Sequence, residues 1–173
     1  RSKNPEPHMV HHAVQSEAIM RALAERLGHD PEVWSRAGLL HDLDFPLTKH
    51  EMDKHGVLAA AELAGKLPED AVRAISAHNE EGTGIKAESA FDFALRAAET
   101  ATGLVMTAAL VRPTRMEGME PKSLKKKMKD KSFAAAVSRE RIRECEKLGL
   151  ALDEFLALAI AAMTPIAAET GIA

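Results

Sequence analysis

The sequence predicts an all-α protein, a single compact helical domain of about eight helices. Its 173 residues are enough for one domain with a sizeable core. Hydrophobic residues make up 46% of the chain but aromatic residues only 3%, so Ala, Leu, Val, Ile and Met must build that core. This composition favours closely packed helices over a β-sandwich, which uses β-branched and aromatic residues. No stretch alternates long enough to predict a strand.

Capping residues and prolines predict where the helices begin and end. Asp30 followed by Pro31 opens the second helix, and Pro46 prevents it from continuing far. Ser89, with Asp92 three residues later, has the form of a capping box and opens a long helix. The predicted helices cover residues 9–27, 31–41, 51–64, 68–79, 90–111, 133–148 and 152–168.

Charge and composition argue against several classes of function. The net charge of −3 and the scarcity of aromatic residues give no basis for expecting a nucleic-acid duplex as partner. The longest apolar run, 155–163, is shorter than the ~20 residues of a membrane helix, so no membrane association is expected. A single cysteine, Cys145, does not suggest secretion. We therefore expect a soluble cytoplasmic protein.

The strongest local signal for chemistry is the segment Leu39-Leu40-His41-Asp42. It places an imidazole nitrogen and a carboxylate oxygen at the end of an apolar helix, and these are ligand types that hold divalent transition metals. An ionised Asp directly after a buried helix needs a partner, and a cation is one.

Helical spacing selects further polar residues that face the core. His12, His78 and Glu99 each share a helical stripe with apolar residues three or four positions away. His55 opens the apolar part of the third predicted helix. His11, by contrast, lies on a stripe that looks more solvent-exposed.

Each of these residues also has a purely structural interpretation. A single inward His is often a hydrogen-bonded core residue, and Glu99 could pair with Arg96 or another basic residue. Spacing alone does not show that the residues converge. The remaining histidines are interpreted as surface or loop residues: His8, His11, His29 and His50.

The order His12, then His41-Asp42, then a carboxylate on a late helix resembles the HD superfamily of metal-dependent phosphohydrolases. The segment 12–42 is similar to that family's first two helices almost position by position, and the resemblance covers about the first two thirds of the chain. It implies an HD-type domain whose metal-binding core is residues 1–111. Residues 112–173 would add a Lys-rich connection and C-terminal helices to the same domain.

The resemblance also implies a ligand set. His12, His41 and Asp42 would hold a first ion, while His55 and His78 match the extra histidines of members that bind two ions, with Asp42 bridging them.

Two positions depart from the family pattern. Leu43-Asp44 stands where Ile-Gly is common, so Asp44 is expected to orient a ligand or to carry a proton. Ala97-Ala98-Glu99 stands where Ala-Ala-Asp is usual, so Glu99, the expected sixth ligand, carries its oxygens one methylene further out.

The activity implied is hydrolysis of a nucleotide or another small phosphoester by a metal-activated water. Asp42 and Asp44 would be the catalytic carboxylates, and the cofactor would be one or two divalent ions of Mn, Zn, Fe, Mg, Co or Ni. Two alternatives remain open. One is an HD-type di-iron oxygenase, because the same His and Asp pattern serves some oxygen-activating relatives. The other is a non-catalytic metal- or ligand-binding regulatory protein with a degenerate HD site, which Glu99 would support.

The Lys-rich segment 112–132 is the predicted anion site, with Arg112, Lys122 and Lys125 contacting the substrate phosphate. The interpretation favoured from the sequence is nevertheless an ordinary solvated charged surface, which runs of charge usually are. The last predicted helix is apolar over much of its circumference. It could pack into the domain or form a homodimer.

Overall fold

The computed structural model describes residues 6–173 and confirms the all-α fold. The first five residues, which the predicted core domain included, lie outside this range. None of the helices in residues 6–173 is long and apolar enough to cross a membrane. They are α1 Pro7–Leu27, α2 Pro31–Leu40, α3 Phe45–Thr48, α4 Val57–Leu63, α5 Glu69–Ala77, α6 Glu80–Thr83, α7 Ala90–Leu110, α8 Pro121–Lys129, α9 Arg139–Arg143, a 3₁₀ helix Glu144–Leu148 and α10 Leu152–Met163. The sequence predicts about eight helices, and the very short α3, α6 and α9 raise the number.

Helix α7 lies at the centre of the domain. It packs against α1, α2, α5, α8, α9, α10 and the 3₁₀ helix. Several of its alanines, among them Ala94, Ala98 and Ala101, are fully buried, and small side chains let neighbouring helices approach closely. One hydrophobic core extends from Ile19 in α1 to Ile172 near the C-terminus, so it includes residues on both sides of position 111.

The predicted caps of α2 and α7 are confirmed. The Asp30 carboxylate accepts hydrogen bonds from the backbone N–H groups of Glu32 at 2.9 Å and Val33 at 3.4 Å. Ser89 and Asp92 form the predicted capping box, in which each side chain accepts from the other's backbone N–H. These caps fix the starts of the two helices that carry Gly38, Glu99 and Thr102.

The third predicted helix corresponds to α4 and is shorter than predicted. The sequence suggests residues 51–64, but α4 begins only at Val57, because the backbone turns at Gly56, whose φ is +89°. Asp44 caps the new start from a distance, since its Oδ2 accepts from the N–H groups of Gly56 and Ala59, both at 2.8 Å. The turns before Gly56 place the His55 ring in the interior.

The C-terminal part departs most from prediction. The Lys-rich connection contains a helix, α8, because Leu124 and Met128 are buried against the core. The helix predicted over residues 133–148 begins only at Arg139. The Arg139 guanidinium donates to the carbonyl oxygens of Asp130, Phe133, Ala134 and Val137, which holds the preceding segment in turns.

The last helix packs inside the domain. It was predicted to reach residue 168 but ends at Met163, and Phe155, Leu156 and Ala159 are fully buried. It contacts α1, α7 and α8.

Candidate metal centre

His41 and Asp42 follow directly after α2, and His41 is fully buried. The Nδ1 of His41 lies 2.8 Å from the carbonyl oxygen of Gly38, to which it can only donate. The proton is therefore on Nδ1, and the lone pair of Nε2 points into the site. Gly38 keeps α2 close to α1, because a Cβ there would lie 2.7 Å from the Ser16 carbonyl oxygen.

His12 reaches the same point from α1. Its Nδ1 lies 2.9 Å from the hydroxyl oxygen of Thr102 in α7. That hydroxyl donates its own proton to the carbonyl oxygen of Glu99 at 2.6 Å, so it accepts from His12. The Nε2 of His12 consequently presents a lone pair, 3.1 Å from the Nε2 of His41.

His55 and His78 form a second pair of the same kind. The Nδ1 of His78 donates to the carbonyl oxygen of Ile75 at 2.6 Å, and the Nδ1 of His55 donates to Asp44 Oδ1 at 2.9 Å. Their Nε2 atoms lie 3.1 Å apart, and both rings are buried.

Asp42 joins the two pairs. Its Oδ2 lies 3.6 Å from Nε2 of His12, and its Oδ1 lies 3.3, 3.2 and 3.4 Å from the Nε2 atoms of His41, His55 and His78. Two groups of potential metal ligands result, one of His12, His41 and Asp42 and the other of Asp42, His55 and His78. Oδ1 of the shared carboxylate faces a histidine of each group, whereas Oδ2 faces His12.

The donor chemistry of this cluster fits divalent cations. Four imidazoles have their Nδ1 atoms bound to acceptors, which orients each Nε2 toward one carboxylate. Two Nε2 lone pairs facing each other at 3.1 Å repel unless a proton or a cation lies between them. Buried imidazole and carboxylate ligands at this spacing can therefore hold one or two metal ions.

The protonation states reflect burial and the shared carboxylate. Burial lowers the pKa of His41 to about 3, so this imidazole is neutral at pH 7. Burial also disfavours the cationic form of His55, but its contacts with Asp42 and Asp44 prevail and raise its pKa to about 9. Burial acts against the Asp42 carboxylate as well, yet His41, His55 and His78 hold the pKa of Asp42 well below its usual value.

Asp44 lies behind His55 and is only 3% exposed. One of its oxygens accepts from His55, and the other accepts the backbone N–H groups of Gly56 and Ala59. Burial would raise the pKa of Asp44, but these hydrogen bonds lower it. Such a carboxylate orients the His55 ring, which is the first of the two roles predicted for it.

Glu99 lies outside both ligand groups. Its Oε1 accepts from Nη1 of Arg141 at 3.2 Å and from the hydroxyl of Thr100 at 2.6 Å. Arg96, the partner considered from the sequence, instead pairs with Glu80 and Glu144. The backbone of Glu99 nevertheless lies near the cluster, because its carbonyl oxygen accepts from the Thr102 hydroxyl that contacts His12.

The three predicted substrate contacts, Arg112, Lys122 and Lys125, do not line the cavity next to His12. Arg112 donates to Thr114 and to the carbonyl oxygen of Glu117, and Lys125 pairs with Asp153 at 2.6 Å. Lys122 is exposed on α8. Within residues 6–173, the cation that lines this cavity is Arg141, which no local sequence pattern marks.

Comparison with known protein families matches residues 9–131 to the HD domain. The chain belongs to the HD family. The match includes the five residues of the two ligand groups and extends past residue 111. Members of this family bind divalent metal ions, and family membership supports a metal-dependent hydrolase in general.

Curated relatives share part of this HD domain. Ribonuclease Y of Enterococcus faecalis is 37% identical over 73 residues, which are 41% of this chain and 14% of that protein. Ribonuclease Y 1 of Pediococcus pentosaceus is 33% identical over 94 residues, 53% of this chain and 17% of its own. Ribonuclease Y of Lawsonia intracellularis is 33% identical over 97 residues, which are 55% of this chain and 18% of that protein. The chain thus spans under a fifth of these relatives. No solved structure matches it significantly.

Proposed function

We propose that this protein is a metal-dependent phosphohydrolase that cleaves a nucleotide or another small phosphoester. The observation that carries the proposal is the convergence of four Nε2 atoms on the Asp42 carboxylate, with every Nδ1 bound to an acceptor. A divalent cation held there lowers the pKa of its water towards ~7 and so supplies hydroxide at neutral pH.

The residues have distinct roles in this proposal. Asp42 bridges the two ligand groups and holds them at a fixed separation. His12, His41, His55 and His78 would each offer one ring nitrogen to the cation. Asp44 keeps the His55 ring in its ligating orientation, and it does not touch substrate, because its oxygens are buried and bound.

A cavity of about 350 Å³ beside His12 supports a small substrate. Pockets of this size hold small molecules, and the cavity is too small to enclose a folded nucleic acid. RNA is a second candidate substrate, because the relatives that share this domain are named Ribonuclease Y. A phosphodiester of an RNA single strand could reach the same metal ions from the open side of the cavity.

The test is hydrolysis by the metal-loaded protein of 4-nitrophenyl phosphate, bis(4-nitrophenyl) phosphate, a set of nucleotides and a short RNA. We expect turnover of at least one of them, lost in Asp42→Asn and after treatment with a chelator. Turnover that persists both in Asp42→Asn and in the presence of a chelator would overturn the proposal. Iron in the purified protein together with oxygen uptake, and no hydrolysis, would favour the di-iron oxygenase instead.

A further inference from the structure

The cavity that His12 lines also has one charged wall. Glu81, Glu99 and Arg141 line this wall, and Thr102, which orients His12, lines the cavity as well. Among the described residues around the cavity, Arg141 is the only Arg or Lys. A ligand in the cavity therefore has both His12, one of the candidate metal ligands, and one guanidinium group among its neighbours.

Arg141 is held in a defined position. Its Nε donates to Glu81 Oε1 at 3.1 Å, its Nη2 donates to Glu81 Oε2, and its Nη1 donates to Glu99 Oε1 at 3.2 Å. The side chain is only 18% exposed. Its backbone N–H donates to the Ser138 hydroxyl at 3.2 Å, which caps α9. Such a guanidinium loses little further freedom when it binds a ligand.

Two of the five N–H donors of this guanidinium remain for a ligand. Three are used by Glu81 and Glu99, and the structure gives no other side-chain partner to Arg141 within residues 6–173. The two carboxylates outnumber its single positive charge, so the wall by itself does not attract anions. Metal ions held at His12 would supply the missing positive charge.

We propose that Arg141 positions the phosphoryl group of the substrate, with Glu99 as its partner and not as a metal ligand. This inference rests on the proposed function, because it places the phosphoryl group between Arg141 and the metal ions. The substrate would therefore carry at least one anionic phosphoryl oxygen that is not bound to the metal. Arginine suits this role, since its planar donors match phosphate geometry.

The experiment is calorimetric titration of the metal-loaded protein with inorganic phosphate. We compare the parent with Arg141→Gln and with a matched control, Arg143→Gln. Arg143 lies two residues further along the same helix, is 54% exposed and pairs with Glu146. We expect Arg141→Gln to weaken phosphate binding by about tenfold or more at unchanged metal content, whereas Arg143→Gln binds like the parent.

A second variant, Glu99→Gln, tests the same assignment, and here the affinity for phosphate is expected to rise and not to fall. Removing this carboxylate frees Arg141 from a competitor, so phosphate should bind more tightly while metal content stays the same. This variant also decides the matter if Arg141→Gln does not fold. Weaker metal binding in Glu99→Gln would make Glu99 a ligand and overturn the inference.

The outcomes separate this inference from the proposed function. A parent that binds no metal overturns both. A parent that binds metal but no phosphate, or an Arg141→Gln variant that binds phosphate as the parent does, overturns only the role of Arg141. In that case hydrolysis can still proceed on the metal centre.

Discussion

Asp44 accepts a hydrogen bond from Nδ1 of His55 at 2.9 Å, and this contact turns the other ring nitrogen of His55 toward Asp42. The same carboxylate caps α4, the helix that follows His55. One side chain thus sets both the backbone and the ring of a candidate ligand. Partners of this kind usually change metal affinity by about 10- to 100-fold.

Asp44→Asn should therefore weaken metal binding at His55 and His78. An amide nitrogen at position 44 must face either His55 or the N–H groups of Gly56 and Ala59, and both choices place donor against donor. We expect metal affinity to fall by about tenfold or more, measured by competition with a chromophoric chelator. Asp53→Asn, an exposed change in the same segment, is the control. Equal affinity in parent and Asp44→Asn would contradict the role assigned to Asp44.

Thr102→Val tests the corresponding contact on the other side of Asp42. Valine preserves the shape of Thr102 but removes the acceptor for Nδ1 of His12. We expect weaker metal binding at His12 and His41, by about tenfold, with the helical circular dichroism unchanged. Thr107→Val, further along α7, should bind metal like the parent. The account fails here if the two valine variants behave alike.

Gly38→Ala tests how closely α1 and α2 must pack. The added Cβ would lie 2.7 Å from the Ser16 carbonyl oxygen, a backbone atom that cannot move alone. The helices must separate, which should cost about 1 to 3 kcal/mol in the free energy of unfolding. Urea unfolding of the metal-free protein measures this cost, with the exposed Arg36→Ala in α2 as reference. Unchanged stability in Gly38→Ala would show that α1 and α2 accommodate a Cβ at position 38 without separating.

The metal-free protein should lose stability as the pH rises through about 9. The folded-state pKa of His55 is raised from 6.5 to about 9 by Asp42 and Asp44, so its protonated form favours the folded state. That contribution is complete below pH 6.5 and disappears as the pH passes about 9. Subtracting the unfolding free energy of His55→Gln from that of the parent, at several pH values, isolates the effect. A difference that does not change with pH would refute this contribution of His55. His50→Gln, at an exposed position, is the control, and its free energy of unfolding should vary with pH as that of the parent does.

Local signals in the sequence predict the helices that carry the site, because caps and prolines act within a few residues. Asp30, Ser89 and Asp92 determine the starts of α2 and α7 in this way. The start of α4 could not be predicted, since it depends on Asp44, which is distant along the chain. Arg139 likewise replaces a predicted helical turn by binding carbonyl oxygens that precede it.

The candidate ligands were selected from helical stripes and from the family resemblance, and the structure brings His12, His41, Asp42, His55 and His78 together. Glu99 was selected by the same reasoning, but a stripe gives only the direction of a side chain and not its partner. Arg141, 42 residues further along the chain, binds its carboxylate. No local pattern marks Arg141, because its significance arises only from the packing of α9 against α7.

Elemental analysis of the parent, Asp42→Ala and His11→Ala, each purified without added metal or chelator, measures whether the cluster around Asp42 holds a metal. His11 is the control, because it neighbours His12 in sequence but lies beside Gly171, outside both ligand groups. The account predicts about one or two equivalents of a divalent metal in the parent and in His11→Ala, and none in Asp42→Ala. Full metal content in Asp42→Ala would contradict it.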